Sequence, residues 1–584
     1  MSTMNINQFW LKQSNLFSWN KKPSIAFKKK KNNFVEWYPD GKINSYYNCI
    51  TKNIESGLGN KIAIHTVTKE KKFSKYSYND INSKVNYFCS VLKLKLKNKK
   101  IHNCKVLIYS AASIESAIAM LSCAKLGIHF AVLFEDLASE AVKKRIQLLK
   151  PDIFISRVKR KTFYKKVSIN KIEAKKINFL FFEKFKFPNK YNKIPNIENK
   201  YFNGNKDFFT LFTSGSTGMP KGVVTGLGGY LVYAKFTCKE QFGMNKNSVV
   251  LTAAEAGNMN GHTYALFGPL SFGATSVLIE SPMLLTDEIL LKKILKLKVT
   301  VLHLPVTLIR LMKAVFKNTR FQTKYLVTLG SLGEHLSATV AEWFASHFNK
   351  KNKPIINAYY QTENSAIMCS PRYNQNIKQV PHGSIGRPTT KFIKLNKIYK
   401  DKKVEMKICS PWPGCMKRII NGKEVWKKYW DKSNNFRMFD LASIKNNNLY
   451  IHGRVDDVIN IRGKRIGSEE IESIISKIKD VYECCAVAVP ESFGGNALYL
   501  FVASKNNNLN DIISKKILGN FGSFALPKKI YYISEMPKNK SGKMLRRVLR
   551  TILENPNTKD YGDLSTILNK KILFEAQKKV LENG

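Results

Sequence analysis

The stretch Thr213–Val224 reads TSGSTGMPKGVV, a run of hydroxyls and glycines followed by one cation, Lys221. Glycines let backbone N–H groups approach an anion closely, hydroxyls add donors, and a lysine supplies a mobile positive charge, so these residue types suit phosphate. The spacing excludes a Walker A loop. That motif needs Gly-Lys-Ser/Thr followed by a helix, whereas Pro220 stands in the glycine position and GVV continues as a strand. A flexible Gly/Ser hairpin turn would read the same way in isolation, so the surroundings must decide.

From about residue 60 the chain alternates short β-rich runs (KVLIYS, FAVLF, DIFIS) with amphipathic stretches of helix length, SIESAIAMLSCAKLG and ASEAVKKRIQLLK. Alternation of this kind predicts parallel sheets covered by helices, and it continues through TSVLIE, TVLHLP and YLVTLG. The loop therefore sits between strands of a large α/β domain. Near residue 385 the texture changes to charged strands with Gly and Pro turns, running to about residue 453. A short α/β unit follows, with SEEIESIISKI predicted as a helix capped by Ser468 and with AVAVP and LYLFVAS as strands.

With 584 residues, 44% of them hydrophobic, the chain exceeds one ordinary core and has ample material to bury. The net charge of +55 raises the question of nucleic acid or anionic lipid. The lysines, however, are spread through every segment and travel with Asn and Ile, and the densest run, Lys28–Lys31, lies in a short N-terminal segment. A solvated basic surface with no specific nucleic-acid partner is expected. The ten cysteines show no metal-binding C-x-x-C ladder and are expected to be reduced. The N-terminus lacks a signal-peptide core, and the longest apolar stretch, Ala117–Phe134, is interrupted by Lys125 and His129. It reads as a buried helix leading into a strand, not a membrane span, and a cytoplasmic location is expected.

Four further motifs follow the loop in order: SLGEHLS at Ser331–Ser337, YYQTEN at Tyr359–Asn364, GRVDDVINIRGKRIGSEEIE at Gly453–Glu472 and MPKNKSGKMLRR at Met536–Arg547. Together they resemble the adenylate-forming superfamily of acyl-CoA synthetases, luciferases and peptide-synthetase adenylation domains. WYPDGKINSYYNCI, GGYLVYA, GHTYALFGPLSFGATSVLIE, PWPGCMKRII and YGDLSTILN narrow the likeness to the acetyl-CoA synthetase branch, over nearly the whole chain.

The resemblance implies an α/β fold: a large N-terminal AMP-binding domain of β-sheets with packed helices at 1–453, carrying a branch-specific segment at about 1–60, then a hinge at 454–457 and a small mobile α+β domain at 458–584. It implies an ATP-dependent acid–thiol ligase that uses Mg²⁺ and coenzyme A. On that footing Thr213, Ser214, Gly215, Ser216, Thr217, Gly218 and Lys221 would cradle the β- and γ-phosphates. Glu363 would hold Mg²⁺, because a hard cation wants carboxylate oxygen, and Thr362 would meet the α-phosphate region. Gly333 and Glu334 would line the adenine slot beside Tyr359. Asp440 would take the ribose hydroxyls, although Phe439 and Leu441 replace its usual flanking glycines. Arg454 and Arg465 would serve the ribose and phosphates, being forked and permanently charged. Asp456 matches the hinge. Lys543 matches the lysine that stabilises charge in adenylation, and a lysine acylase or deacylase acting on it is an implied partner. Arg462, and Arg157 in the RVKRK run, would grip CoA.

The acyl pocket departs from the branch. Tyr360 stands for the usual tryptophan, Leu332 for valine, and GNMNGH at Gly257–His262 places Asn258, Met259 and Asn260 where an aromatic and a threonine are usual. Two amides beside a small pocket are expensive unless they find partners, in the substrate or in the local backbone. A short acid of about three to five carbons, with room for a polar substituent, is expected in preference to acetate. Transfer to a carrier-protein phosphopantetheine in place of free CoA stays open, as does a decayed, basic binding protein on the same fold.

Overall fold

The computed structural model describes residues 4–582 apart from 98, 136, 138, 168–176, 186–195, 214–219, 317–318, 322, 335, 349–351, 401, 421, 456–457, 462–463, 491–495, 540–541, 543, 562–563 and 565–566. Residues 1–394 with 408–436 form one compact unit, and 395–407 with 437–584 form another. This partition falls ahead of the boundary expected at 453, because the strands Val404–Ile408, Phe436–Lys445 and Asn448–Arg454 build a single three-stranded sheet.

The first unit contains two seven-stranded sheets. One runs Arg418–Ile420, Lys221–Gly226, Asp207–Thr213, His129–Leu133, Lys105–Tyr109, Ile153–Ser156, Asn178–Phe181. Its five later members in that order are parallel, and the two pairings at the Arg418 edge are antiparallel. The other runs Ile356–Asn357, Thr328–Leu332, Val301–Pro305, Val249–Thr252, Thr275–Ile279, Ile62–Val67, Phe73–Ser77, parallel except for the last pair. Central strands such as Ile153–Ser156 and Thr275–Ile279 are buried at every residue. That is why they read as continuous apolar runs rather than alternating ones: parallel sheets are covered on both faces.

The apolar stretch at Ala117–Phe134 is a helix, Ile114–Leu126, followed by the strand His129–Leu133. Ser113 caps the helix, and Gly127 ends it at φ +66°, where a Cβ would meet the Phe202 ring at 2.2 Å. Lys125, 1% exposed, directs its ammonium to Asn86 Oδ1 at 2.7 Å. Among the described residues no helix is long and apolar enough to cross a membrane.

In the second unit the strands Val481–Pro490, Asn496–Ser504 and Lys529–Ile533 form a sheet with two cores divided by residue parity. Cys484, Ala486, Leu498, Leu500 and Val502 face the helices Ser468–Ile475 and Asn510–Phe521, while Cys485, Val487, Phe501 and Ala503 face Arg546–Glu554 and Lys571–Glu582. Ser468, expected as a cap, is instead the first residue of its helix, and its buried hydroxyl makes no hydrogen bond among the described residues.

Candidate active site

The phosphate-loop motif joins two antiparallel strands whose last pair is Thr213 with Lys221. Phe209, Leu211, Val223 and Val224 anchor those strands in the core at 0–1% exposure. The hairpin therefore presents both ends of the loop at one place, as strand–loop–strand. Ser214, Gly215, Ser216, Thr217 and Gly218 themselves lie outside the described residues, as do Asp456, Arg462 and Lys543.

Across from the hairpin, Glu363 is 8% exposed in the short 3₁₀ turn Thr362–Asn364. The Gln361 N–H donates to Asn364 Oδ1 at 3.0 Å, closing the turn at its start, and Ser365 ends it at φ +65°. The Met416 N–H donates to the Glu363 carbonyl at 2.8 Å, and the Tyr429 hydroxyl donates to Glu363 Oε1. The Lys221 ammonium stands 5.6 Å from the centroid of that same Tyr429 ring. Expected phosphate lysine and expected metal carboxylate thus meet on one tyrosine that carried no recognisable motif in the sequence.

The group fits Mg²⁺. Among the described residues no set of three or more His, Cys, Asp or Glu could hold a metal. A single hard carboxylate suits an ion that keeps its waters and takes further oxygens from substrate phosphates.

Tyr359 is tied to Cys369 by paired backbone hydrogen bonds of 3.0 and 3.2 Å, which fixes the strand entering the turn. Gly333 follows the strand Thr328–Leu332 at φ +89°, and a Cβ there would meet open space, so the backbone at this point presents a bare face. Glu334 beside it pairs with Arg310 at 2.9 Å, a partner with no signal in the sequence.

The acyl-pocket candidates fall on three segments. Met259 and Asn260 lie buried on the helical turn Met259–His262, and Leu332, 5% exposed, ends its strand. The Tyr360 hydroxyl donates to Asn260 Oδ1, and its ring meets Tyr264 edge-on at 6.1 Å. Burial raises the Tyr360 phenol well above its ordinary range, so it stays a neutral donor. Asn258 corrects an expectation: its side chain is the N-cap, accepting from the Gly261 N–H at 3.0 Å. Its oxygen answers a free helix donor, leaving Asn260 as the amide beside Tyr360. Next to it His262 is fully buried between Phe130 and Phe209, and burial drives its pKa down to about 3.

Arg157 is the second correction. The guanidinium expected to grip CoA phosphates is enclosed by Glu135 at 3.0 Å, Glu115 at 3.5 Å and Glu280, with Lys69 joining Glu135 at 2.6 Å. Three carboxylates neutralise its charge, so it ties strand ends together instead of offering itself to phosphate.

In the second unit Asp440 is 8% exposed, opposite Arg454 in register, with Arg454 Nη1 at 3.7 Å from its carboxylate. Phe439, where the resemblance expects glycine, has φ +57°, and the pairing slips by a bulge between Asp440 and Ala442. The backbone keeps the glycine-like turn without glycine. Arg437 and Arg454 lie over the Phe439 ring at 4.6 and 5.7 Å. Arg465 lies in the strand Lys464–Gly467, paired with Asn460.

Comparison with known proteins bears on the chain as a whole. Residues 55–410 match the family AMP-binding enzyme, 470–543 the AMP-binding enzyme C-terminal domain, and 1–49 the acetyl-coenzyme A synthetase N-terminus. Acetyl-coenzyme A synthetase of Leptospira biflexa serovar Patoc is 31% identical over 97% of this chain and 93% of its own. That of Helicobacter pylori strain HPAG1 is 29% identical over 91% and 87%. Acetoacetyl-CoA synthetase from Streptomyces lividans shares the fold at a TM-score of 0.81, with 14% identity over 99% of this chain and 93% of that one. The family's enzymes use ATP, Mg²⁺ and coenzyme A. The chain belongs to the AMP-binding enzyme family, as an AMP-forming ligase of acetyl-CoA synthetase type.

Proposed function

We propose that this chain activates a short, polar-substituted carboxylic acid as its acyl-adenylate and passes the acyl group to the thiol of coenzyme A. In the first half-reaction a carboxylate oxygen bonds to the α-phosphorus of ATP and pyrophosphate leaves. In the second the thiol sulfur bonds to the acyl carbon, its proton is lost, and AMP leaves. The observation that carries the reading is the convergence of Lys221, Glu363 and the hairpin ends in a chain matched to the family along its length.

Residue roles are assigned from the motifs each residue stands in. The 213–218 loop and Lys221 hold the β- and γ-phosphates, Glu363 holds Mg²⁺, which when bound neutralises phosphate charge, and Thr362 lies one residue from it. Gly333, Glu334 and Tyr359 serve the adenine. Asp440 takes the ribose hydroxyls with Arg454 beside it, and Arg465 and Lys543 answer charge at the α-phosphate. Because Lys543 acts in adenylation alone, Lys543→Ala should abolish acid-dependent pyrophosphate release while sparing thioester formation from supplied acyl-AMP. Equal loss of both steps counts against that role.

The acid is read from Tyr360 and Asn260. With Asn260 Oδ1 accepting from Tyr360 and no partner for its amide N–H groups among the described residues, those N–H groups are left to meet an acceptor oxygen, which a purely apolar guest would not supply. A hydroxy- or oxo-acid of about three to five carbons fits best. The test is a pyrophosphate-release screen of acetate, propionate, butyrate, 3-hydroxybutyrate and acetoacetate, with and without CoA. Tyr360→Trp should shift preference toward acetate, and Asn260→Val should lower kcat/KM for polar acids by roughly tenfold or more. Strong preference for acetate with no effect of Tyr360→Trp refutes the pocket reading and leaves adenylation standing. Adenylation without any CoA-dependent AMP release points to a carrier-protein acceptor.

A further inference from the structure

We infer that Tyr429 is a positioning residue of this site, orienting the Glu363 carboxylate toward the metal–phosphate group while its ring backs Lys221 at the foot of the phosphate loop. The inference rests on the role proposed for Glu363. Tyr429 is 5% exposed, and two functions meet on it: its hydroxyl donates to Glu363 Oε1, and its ring face lies 5.6 Å below the Lys221 ammonium. A neutral donor on one carboxylate oxygen fixes the rotation of the group and leaves the other oxygen to ligate. Glu363 Oε2 makes no hydrogen bond among the described residues. Partners of this kind, one step removed from a metal, set ligand orientation and affinity.

The ring is itself held. It stacks on Phe436 at 5.5 Å and 21°, and Phe436 is boxed edge-on by Trp412 at 5.1 Å and Trp430 at 5.3 Å. An aromatic cluster of that rigidity is more than a buried hydroxyl requires. It allows one side chain to keep an anion and a cation at a constant separation through the chemical cycle. The lysine rests on a π-face, to which a desolvated cation is attracted.

Tyr429→Phe keeps the ring and removes only the donor. The Mg²⁺ concentration needed for half-maximal pyrophosphate release should rise roughly tenfold or more, with kcat recovered at saturating Mg²⁺. Binding of Mn²⁺ to the enzyme with a non-hydrolysable ATP analogue, read by electron paramagnetic resonance, should weaken by the same factor. Phe436→Leu, which keeps the hydroxyl but loosens the ring, should move both readouts in the same direction by less. Tyr429→Leu should also raise the KM for ATP, since Lys221 loses its platform. Unchanged metal dependence and Mn²⁺ affinity in Tyr429→Phe, with Glu363→Gln impaired, overturn this inference alone. Normal adenylation by Glu363→Gln overturns both it and the underlying assignment.

Discussion

A bulky residue at positive φ is strained, and Phe439 at φ +57° is the case next to the buried carboxylate Asp440. The left-handed region costs an L-residue about 1–2 kcal/mol. Two guanidinium groups over the ring return about 0.5–1 kcal/mol each. Arg437 is in turn held by Glu405 through hydrogen bonds of 2.8 and 3.1 Å, so the stack is anchored at one end and positions Arg454 at the other. Phe439→Gly, the residue the family favours, should therefore change unfolding stability by less than about 1 kcal/mol, because relief of strain and loss of the stack offset. Phe439→Ala retains the strain and loses the ring, and should destabilise by about 1–2 kcal/mol. Both should raise the KM for ATP through a freer Arg454; an unaffected KM in both would show that the stack does not position it. The roles proposed for the carboxylates Asp440 and Glu363 rest on short motifs legible in the sequence. Tyr429 and Arg310 could not be picked out there, since their partners lie far away along the chain and no local spacing encodes them.

At the level of elements, period and punctuation carried the reading of strands and helices. The Ser113 cap and the Gly127 stop bracket the helix Ile114–Leu126 where the pattern places it. The alternation in AVAVP and LYLFVAS becomes a sheet with two opposed cores. Caps misled where two mechanisms compete for the same residue type. Ser468 resembles a cap and is buried without a partner among the described residues, whereas Asn258 resembles a pocket amide and is a cap. Short polar side chains bond equally well to ligand or to free backbone, and only tertiary position chooses. The Asn258 cap holds the turn Met259–His262, on which Asn260 stands, and Gly261 could not bear a side chain because a Cβ would meet Glu255 O at 2.2 Å. Asn258→Ala should lower stability by about 0.5–2 kcal/mol. It should also weaken discrimination between polar and apolar acids, because Asn260 loses its fixed platform. Asn258→Asp, which can still cap, should restore both; a selectivity change that Asp does not rescue would return Asn258 to the pocket wall.

For the molecule as a whole, composition announced a basic surface but not how charge is managed inside. Among the described residues three histidines are buried and held neutral: His129 with a pKa pressed down to about 4, and His262 and His303 to about 3, burial being the leading cause in each. Their folded pKa values lie below the unfolded value of about 6.5, so the unfolded chain binds protons that the native one refuses. Their contribution is present above pH 6.5 and is lost as pH falls toward 4, by about 1.4 kcal/mol per histidine for each unit. Buried Lys125 and half-buried Lys235, lowered to about 8 by desolvation, act in a higher window. Between pH 8 and the unfolded value of about 10.4 the native state has shed protons that the unfolded chain keeps, so stability there rises with pH. The net charge of +55 reinforces both trends, since fewer protons mean less self-repulsion in the compact state. Denaturation midpoints should climb from pH 5 through pH 7 and on toward pH 9, instead of peaking near neutrality. Added salt should raise them most at pH 5, by screening a repulsion that acts over about 10 Å at 0.1 M. If the charge is surface solvation alone, duplex DNA should bind weakly and without sequence preference, and moderate salt should release it as counterions return to the phosphates. Tight binding of a defined nucleic acid that survives such salt, or a midpoint that falls between pH 7 and 9, would contradict this account of the charge.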